Sequence, residues 1–216
     1  MRRTAAPGIA LALLLAACST APPPVPLAPG EAARYTAAWE ARRAAAYAPQ
    51  RKKALFRGET VPKIGPSARG YLSVFWDGST LFWRSSAPLA GNQREGRLRR
   101  AGPGAGEPSL LPGGLSEADA LGALLGVLDL PASCRPVERV GAEFHLRLDL
   151  EGREAVLTED GRVVSLRFPG KTSVMLEAGE PFPRSVTATG RSGRAHLTLE
   201  SWAEWPESEP APGGAA

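Results

Sequence analysis

The sequence predicts an α+β fold. A long antiparallel sheet curls, a helix precedes it, and an apolar helix plugs its concave face. Three observations carry this reading. An Ala-rich helical stretch comes first, one strongly apolar helical stretch interrupts the middle, and the rest alternates with period two between Gly-containing turns. Half-polar alternation marks antiparallel strands with one wet face, and the order helix, strands, helix, strands is an α+β arrangement. Roughly ten strands is near the upper limit for an open sheet, so curling is expected, and an apolar helix suits the concave side.

The chain begins MRRTAAPGIALALLLAACST. Arg2 and Arg3 form a positive n-region, and Ile9 to Leu15 form a short apolar h-region. Such a segment is too short to span a membrane and reads as a secretory signal. It ends Leu15-Ala16-Ala17-Cys18, which resembles the bacterial lipobox. That resemblance implies removal of residues 1–17, a thioether-linked diacylglycerol on Cys18 and an acyl group such as palmitate on its new amine. Several acyl chains anchor stably where one is marginal. Ser19 is not the Asp that retains many Gram-negative lipoproteins at the inner membrane, so the same resemblance implies the periplasmic face of the outer membrane. Residues 18–30 are then the lipidated Cys and a Pro-rich tether, extended and polyproline-like.

Residues 31–206 form the folded domain. Its first element, EAARYTAAWEARRAAAYA, lacks Gly and Pro, sets Tyr35 and Trp39 at i and i+4 on one face, and closes at Pro49. YLSVFW puts Leu72, Val74 and Trp76 on one side and Tyr71, Ser73 and Phe75 on the other. Asp77-Gly78 is a turn signal, and STLFWRSS returns with Leu81 and Trp83 on one face, so the pair reads as a hairpin. EGRLRRAG is a polar strand. The second helix, 116–129, opens on Ser116 with Asp119 as a capping-box-like start, carries Leu121, Leu124, Leu125 and Leu128 in a stripe, contains Gly122 and Gly126, and ends at Pro131. AEFHLRLDL alternates Phe144, Leu146, Leu148 and Leu150 against His145, Arg147 and Asp149. REAVLTEDGRVVSLRF reads as a hairpin about Gly161 with Val164, Leu166 and Phe168 on one face, and three further strands follow. Residues 207–216 have no apolar periodicity and are expected to be a disordered tail.

Composition narrows the function. The formal charge of +4 falls when Arg2 and Arg3 leave with the leader, and the remaining cations are scattered among acids, which argues against a nucleic-acid surface. With Cys18 lipidated, Cys134 stands alone in LPASCRP and no intramolecular disulfide is possible. His145 and His196 lie on the polar phase of strands, and no His, Cys and carboxylate cluster has ligand spacing, so no metal site and no cofactor is expected. No nucleophile elbow, phosphate loop or dinucleotide fingerprint is present, and no catalytic residue is assigned. Five Trp residues are unusual for this size. Two readings of Trp76 and Trp83 stand: core packing, or the wall of an apolar cavity suited to acyl chains.

These stretches together resemble the LolA/LolB-like lipoprotein-carrier superfamily, and more the LolB side. The lipobox, the aromatic hairpin GYLSVFWDGSTLFWRSSAPLAG, the middle helix SEADALGALLGVLDLP and the ending GEPFPRSVTATGRSGRAHLTLESWAEW, with Trp202 and Trp205, carry the likeness over most of the mature chain. The chain departs at Ala90, where Gly is usual, and at SCRPVERVGAEFHLRLDL, which runs directly to strand. The resemblance implies a half-barrel lipoprotein of the outer membrane that binds lipoprotein acyl chains or other lipids without catalysis, receives them from a periplasmic carrier and aids their insertion. It implies a membrane-insertion role for Leu89, an apolar residue between Pro88 and a Gly91-Asn92 turn. The candidate cavity lining is Leu72, Val74, Trp76, Leu81, Trp83, Leu121, Leu125, Leu146, Leu148 and Leu166. The rival reading is an accessory assembly lipoprotein of the same fold that binds no lipid, and a periplasmic hydrolase is a third class.

Overall fold

The structure is a computed structural model that describes residues 23–86, 94–99, 117–127, 136–140, 145–150, 153–168 and 172–209. Twelve strands form one curved, unclosed antiparallel sheet in the order β1-β6-β7-β8-β9-β10-β11-β12-β2-β3-β4-β5. The strands are β1 (Val25–Pro26), β2 (Lys52–Pro62), β3 (Ala68–Trp76), β4 (Thr80–Ser86), β5 (Arg94–Arg99) and β6 (Pro136–Val140), then β7 (His145–Leu150), β8 (Arg153–Leu157), β9 (Val163–Phe168), β10 (Thr172–Glu177), β11 (Ser185–Gly190) and β12 (Gly193–Glu204). Two helices, α1 (Pro29–Ala46) and α2 (Glu117–Leu125), pack on its inner face. The sheet has twelve strands where roughly ten were expected, and β1, β2 and β6 are the ones that no period-two pattern had marked. The additions are short or weakly patterned. In β2 the inner face carries only Ala54 and Phe56 as buried apolar residues. β1 is a two-residue piece of the Pro-rich segment, where Val25 and Pro26 pair with Arg139 and Glu138.

Helix α1 starts two residues earlier than expected because Pro29 fits the first helical turn and Glu31 turns back to accept the Ala28 N–H at 3.4 Å. It lies along one end of the sheet, across the turns that join the strands. The Tyr35 hydroxyl donates to Glu159 at 3.0 Å, and Arg139 on β6 pairs with Glu31 at 2.8 Å. The β8–β9 turn approaches so closely that a Cβ on Gly161, whose φ is +79°, would sit 2.5 Å from the Trp39 Cα. Only glycine fits there.

Helix α2 stops at Gly126, well before Pro131. Gly126 takes φ +67°, its N–H donates to Ala123 O at 3.3 Å, and the Val127 N–H donates to Gly122 O at 2.9 Å. Those two bonds satisfy the last carbonyls of the helix in a Schellman ending. Val127 then turns inward beside Leu121, and both are almost fully buried.

The inner face divides into two cores. Under α1, Tyr35 and Trp39 meet Leu146, Leu148, Leu157, Val163, Leu166 and Val174. Under α2, Leu121, Leu124 and Leu125 meet Phe56, Val74, Trp76, Leu81 and Phe182. Leu197 of β12 packs against both. Val164 does not take the inner position expected of it. The register shifts between Val156 and Leu157, so Leu157 faces Val163 while Val156 faces Ser165. The extra residue is Val164, which leaves Val163 as the buried partner of Leu166 and Phe168.

Candidate functional site

A second irregularity builds the site. In the β12–β2 pair Leu199 faces Phe56, but Ser201 faces Leu55 and Trp202 faces Ala54. The bulge reverses the phase of the end of β12. It therefore turns Trp202 to the inner face, and Trp205, three residues on, falls on the outer face. There Trp205 is buried against Phe75, at a centroid distance of 5.5 Å, with the Arg51 guanidinium 3.9 Å above its ring. The start of the tail is held beside it, since the Lys53 ammonium pairs with Glu209 at 2.6 Å.

Trp202, 48 % exposed, forms one wall of a crevice of about 470 Å³. Its apolar walls are Ala45 and Ala46 from the last turn of α1, Leu125 and Val127 from the end of α2, and Pro181 from the β10–β11 loop. Its polar rim is Arg42, Gln50, Lys52 and Glu180. Two of those charges are committed to each other. Arg42 pairs with Glu180 at 3.1 Å and Asp160 at 3.8 Å, and Arg162 pairs with the same carboxylates at 3.0 and 2.7 Å. Burial alone would raise the Asp160 carboxyl. The Thr158 and Arg162 hydrogen bonds and the Arg162 and Arg42 charges outweigh it and hold the carboxyl below its ordinary range. Lys52 makes no ion pair among the described residues. Burial pushes its ammonium pKa down, and the charges of Glu180 and of Glu204, its cross-strand partner, only partly offset this.

The ten candidate lining residues share one face of the sheet but not one site. Val74, Trp76, Leu81, Leu121 and Leu125 are buried in the core under α2, with Leu72 and Trp83 partly buried at its margin. Leu146, Leu148 and Leu166 lie in the core under α1. Leu125 is the one of the ten that lines the crevice. The Trp83 indole covers Gly96 on β5, where a Cβ would come within 2.8 Å of the ring. Cys18, Leu89 and Cys134 lie outside the described residues.

The sequence reading missed Arg42, Gln50, Lys52, Val127 and Trp202 as neighbours. Lys52 and Trp202 are brought together only by the β2–β12 pairing, and a bulge that reverses side-chain phase leaves no period-two signature. His196 sits on the outer face, between Thr187 at 2.8 Å and Thr198 at 3.1 Å. At the opposite end of the strands, Ile64 is 93 % exposed in the β2–β3 loop, near a second crevice of about 320 Å³ lined by Thr60, Pro62, Thr172, Ala188 and Ala195. Among the described residues no group of three or more His, Cys, Asp or Glu is placed to hold a metal ion, and no helix is long and apolar enough to cross a membrane.

Fold and site together define a curved, open antiparallel sheet with two helices on its concave face and an amphipathic crevice where the helix ends meet the sheet. Among solved structures, the chain is similar to a LolA superfamily protein from Nitrosomonas europaea, at 11 % identity and a TM-score of 0.43, over 80 % of this chain and 94 % of that one. It is similar to a putative outer membrane lipoprotein-sorting protein domain from Vibrio parahaemolyticus, at 9 % identity and a TM-score of 0.42, over 80 % and 93 %. A DUF1329 family protein from Desulfovibrio piger aligns at 11 % identity and a TM-score of 0.30, over 80 % and 92 %. No protein-family model and no curated protein matches the sequence.

Proposed function

We propose that this chain is a lipid-anchored lipoprotein of the outer membrane, facing the periplasm, that binds acyl chains of lipoproteins or other lipids and aids their insertion without catalysis. The observation that supports it best is the crevice of about 470 Å³, walled by Leu125, Val127, Trp202 and Pro181 at the seam between the two helices. Its size is that of small-molecule sites, which are mostly apolar with a few polar groups. An acyl chain entering there would lie against the α2 core. The lipobox at Cys18 supplies the anchor and Ser19 the outer-membrane address, both by resemblance. A periplasmic carrier would deliver the client, and Leu89 would lead it into the bilayer.

A second reading has its own support. Val74, Leu81, Leu121 and Leu148 are completely buried, so the interior is filled by side chains. A filled interior suits an accessory assembly lipoprotein of this fold that carries no lipid.

Native mass spectrometry of a soluble form lacking Cys18, incubated with a diacylated lipopeptide, separates the two. A complex of one lipopeptide per chain is expected from the first, and retention of the apo mass alone from the second. If the complex forms, Leu89→Glu should leave folding and lipopeptide binding intact and impair insertion of lipoproteins into liposomes. An unfolded variant would place Leu89 in the core instead, and unimpaired insertion would remove its role.

A further inference from the structure

We infer that the crevice beside Trp202 selects amphiphiles with an anionic headgroup, with Lys52 holding the headgroup and the Leu125, Val127 and Trp202 walls holding the chain. This rests on the acyl-chain reading above and adds the chemical class of the ligand.

The charge inventory of the crevice carries the inference. Its one lining carboxylate, Glu180, is matched: Arg42 and Arg162 both pair with it, and both also pair with Asp160 beyond the lining, so these four charges cancel. Lys52 is left over. It opens β2 and lines the crevice together with Trp202, and among the described residues it has no ion pair and no hydrogen bond. Glu204 faces it across the strand pair but is exposed and makes no ion pair with it. A half-buried ammonium with no ion pair, whose burial the charges of Glu180 and Glu204 only partly offset, bears a desolvation cost, and an incoming anion repays part of it. Lys serves as a point charge for phosphate, and a charge-assisted hydrogen bond is stronger than a neutral one. Gln50 on the same rim adds an amide donor. Leu125, Val127 and Trp202 line the same crevice as Lys52, so one cavity offers both a cation for a headgroup and apolar walls for a chain. A neutral headgroup would leave Lys52 unpaired, and a cationic one would add repulsion.

The test uses the soluble form lacking Cys18 and three detergents of one chain length: dodecyl phosphate, dodecyl maltoside and dodecyltrimethylammonium, each below its micelle concentration. Binding is read by isothermal titration calorimetry, with inorganic phosphate as a control. Dodecyl phosphate should bind about tenfold more tightly than dodecyl maltoside, with dodecyltrimethylammonium weakest. Lys52→Gln should erase the phosphate advantage and leave maltoside binding unchanged, with the same circular dichroism spectrum and melting temperature as the parent. Trp202→Ala should weaken the phosphate and maltoside detergents alike. Equal binding of all three, unaffected by Lys52→Gln, would overturn the headgroup preference and leave acyl-chain binding standing. Inorganic phosphate binding as tightly as dodecyl phosphate would overturn it in favour of a bare anion site. Failure of every detergent to bind would overturn both this inference and the acyl-chain reading.

Discussion

The two halves of the inner face are held by different forces. Helix α1 is clamped. Charged side chains tie it to three separate parts of the sheet: Glu31 to Arg139, Tyr35 to Glu159, and Arg42 to Asp160 and Glu180. Its core partners are mainly aliphatic. The half under α2 is richer in aromatic rings. Tyr47 meets Trp76 edge-on at 5.8 Å, and Phe56 meets Phe182 at 6.2 Å and 88°. Helix α2 buries Leu121, Leu124 and Leu125, and Val127 just beyond it, against those rings. Ionic lashings fix position at discrete points, whereas apolar burial is non-directional. The crevice lies where the two halves meet, with Arg42, Ala45 and Ala46 of α1 on one side and Leu125 and Val127 at the end of α2 on the other.

The contrast breaks most sharply at Trp76. Trp76→Ala removes a nearly fully buried indole from the α2 half and should cost ~3–5 kcal/mol in urea unfolding. Hydrogen exchange should show β2–β5 losing protection while β7–β10 keep most of theirs. Uniform loss would mean that the two cores are one cooperative unit. Next is the clamp on the other side. Gly161→Ala forces a Cβ against the Trp39 backbone at a positive φ and should cost about 2–4 kcal/mol, combining backbone strain with overpacking. Its exchange signature should be the reverse, centred on α1 and the β8–β9 turn.

The smallest expected effect is acid sensitivity of the clamp. The folded Asp160 carboxyl lies below its unfolded value, so its contribution is present above the unfolded pKa of ~3.9 and is lost as pH falls through the folded value. The urea midpoint of the parent should therefore fall more than that of Asp160→Asn between pH 5 and pH 3, where ~3.9 lies. Because Asp160 is half exposed, the difference should be small and should shrink in high salt. Parallel curves would remove Asp160 from the clamp.

How much was legible in the sequence follows from these same residues. The aromatic stripe of α1 and the alternation of β3, β4 and β7 are written in periods that any reader of the chain can count. Tyr35, Trp39, Val74, Trp76, Leu146 and Leu148 are all buried as that counting requires. The end of α2 was misplaced because Gly126, read as a weak helix residue, takes a left-handed conformation and stops the helix before Pro131. Val164 was placed on the wrong face, and the position of Trp202 could not be counted, for a common reason. A bulge inserts one residue, and every side chain beyond it changes face. Strand β2 went unread because Lys52, Gly58 and Thr60 occupy three of its inner positions. The crevice inherits all of these. It is assembled from a bulge, a helix stop and a weak strand, the three kinds of feature that local pattern conceals.

The pairing of β2 with β12 has a consequence for how the chain reaches this state. Pro62 faces Gly193 and Lys52 faces Glu204, so nearly the whole domain intervenes between partners in the middle of the sheet. Loop closure of that length must precede the reward of its contacts, which makes folding slow. Until β12 arrives, the sheet is two shorter pieces, β2–β5 and β1 with β6–β11, each with an additional unpaired edge at β2 or β11. Exposed strand edges of that kind are prone to pair wrongly or to be held by chaperones. Truncation before residue 193 should therefore yield an aggregating chain rather than a smaller stable domain. The last strand made is the one that joins the sheet.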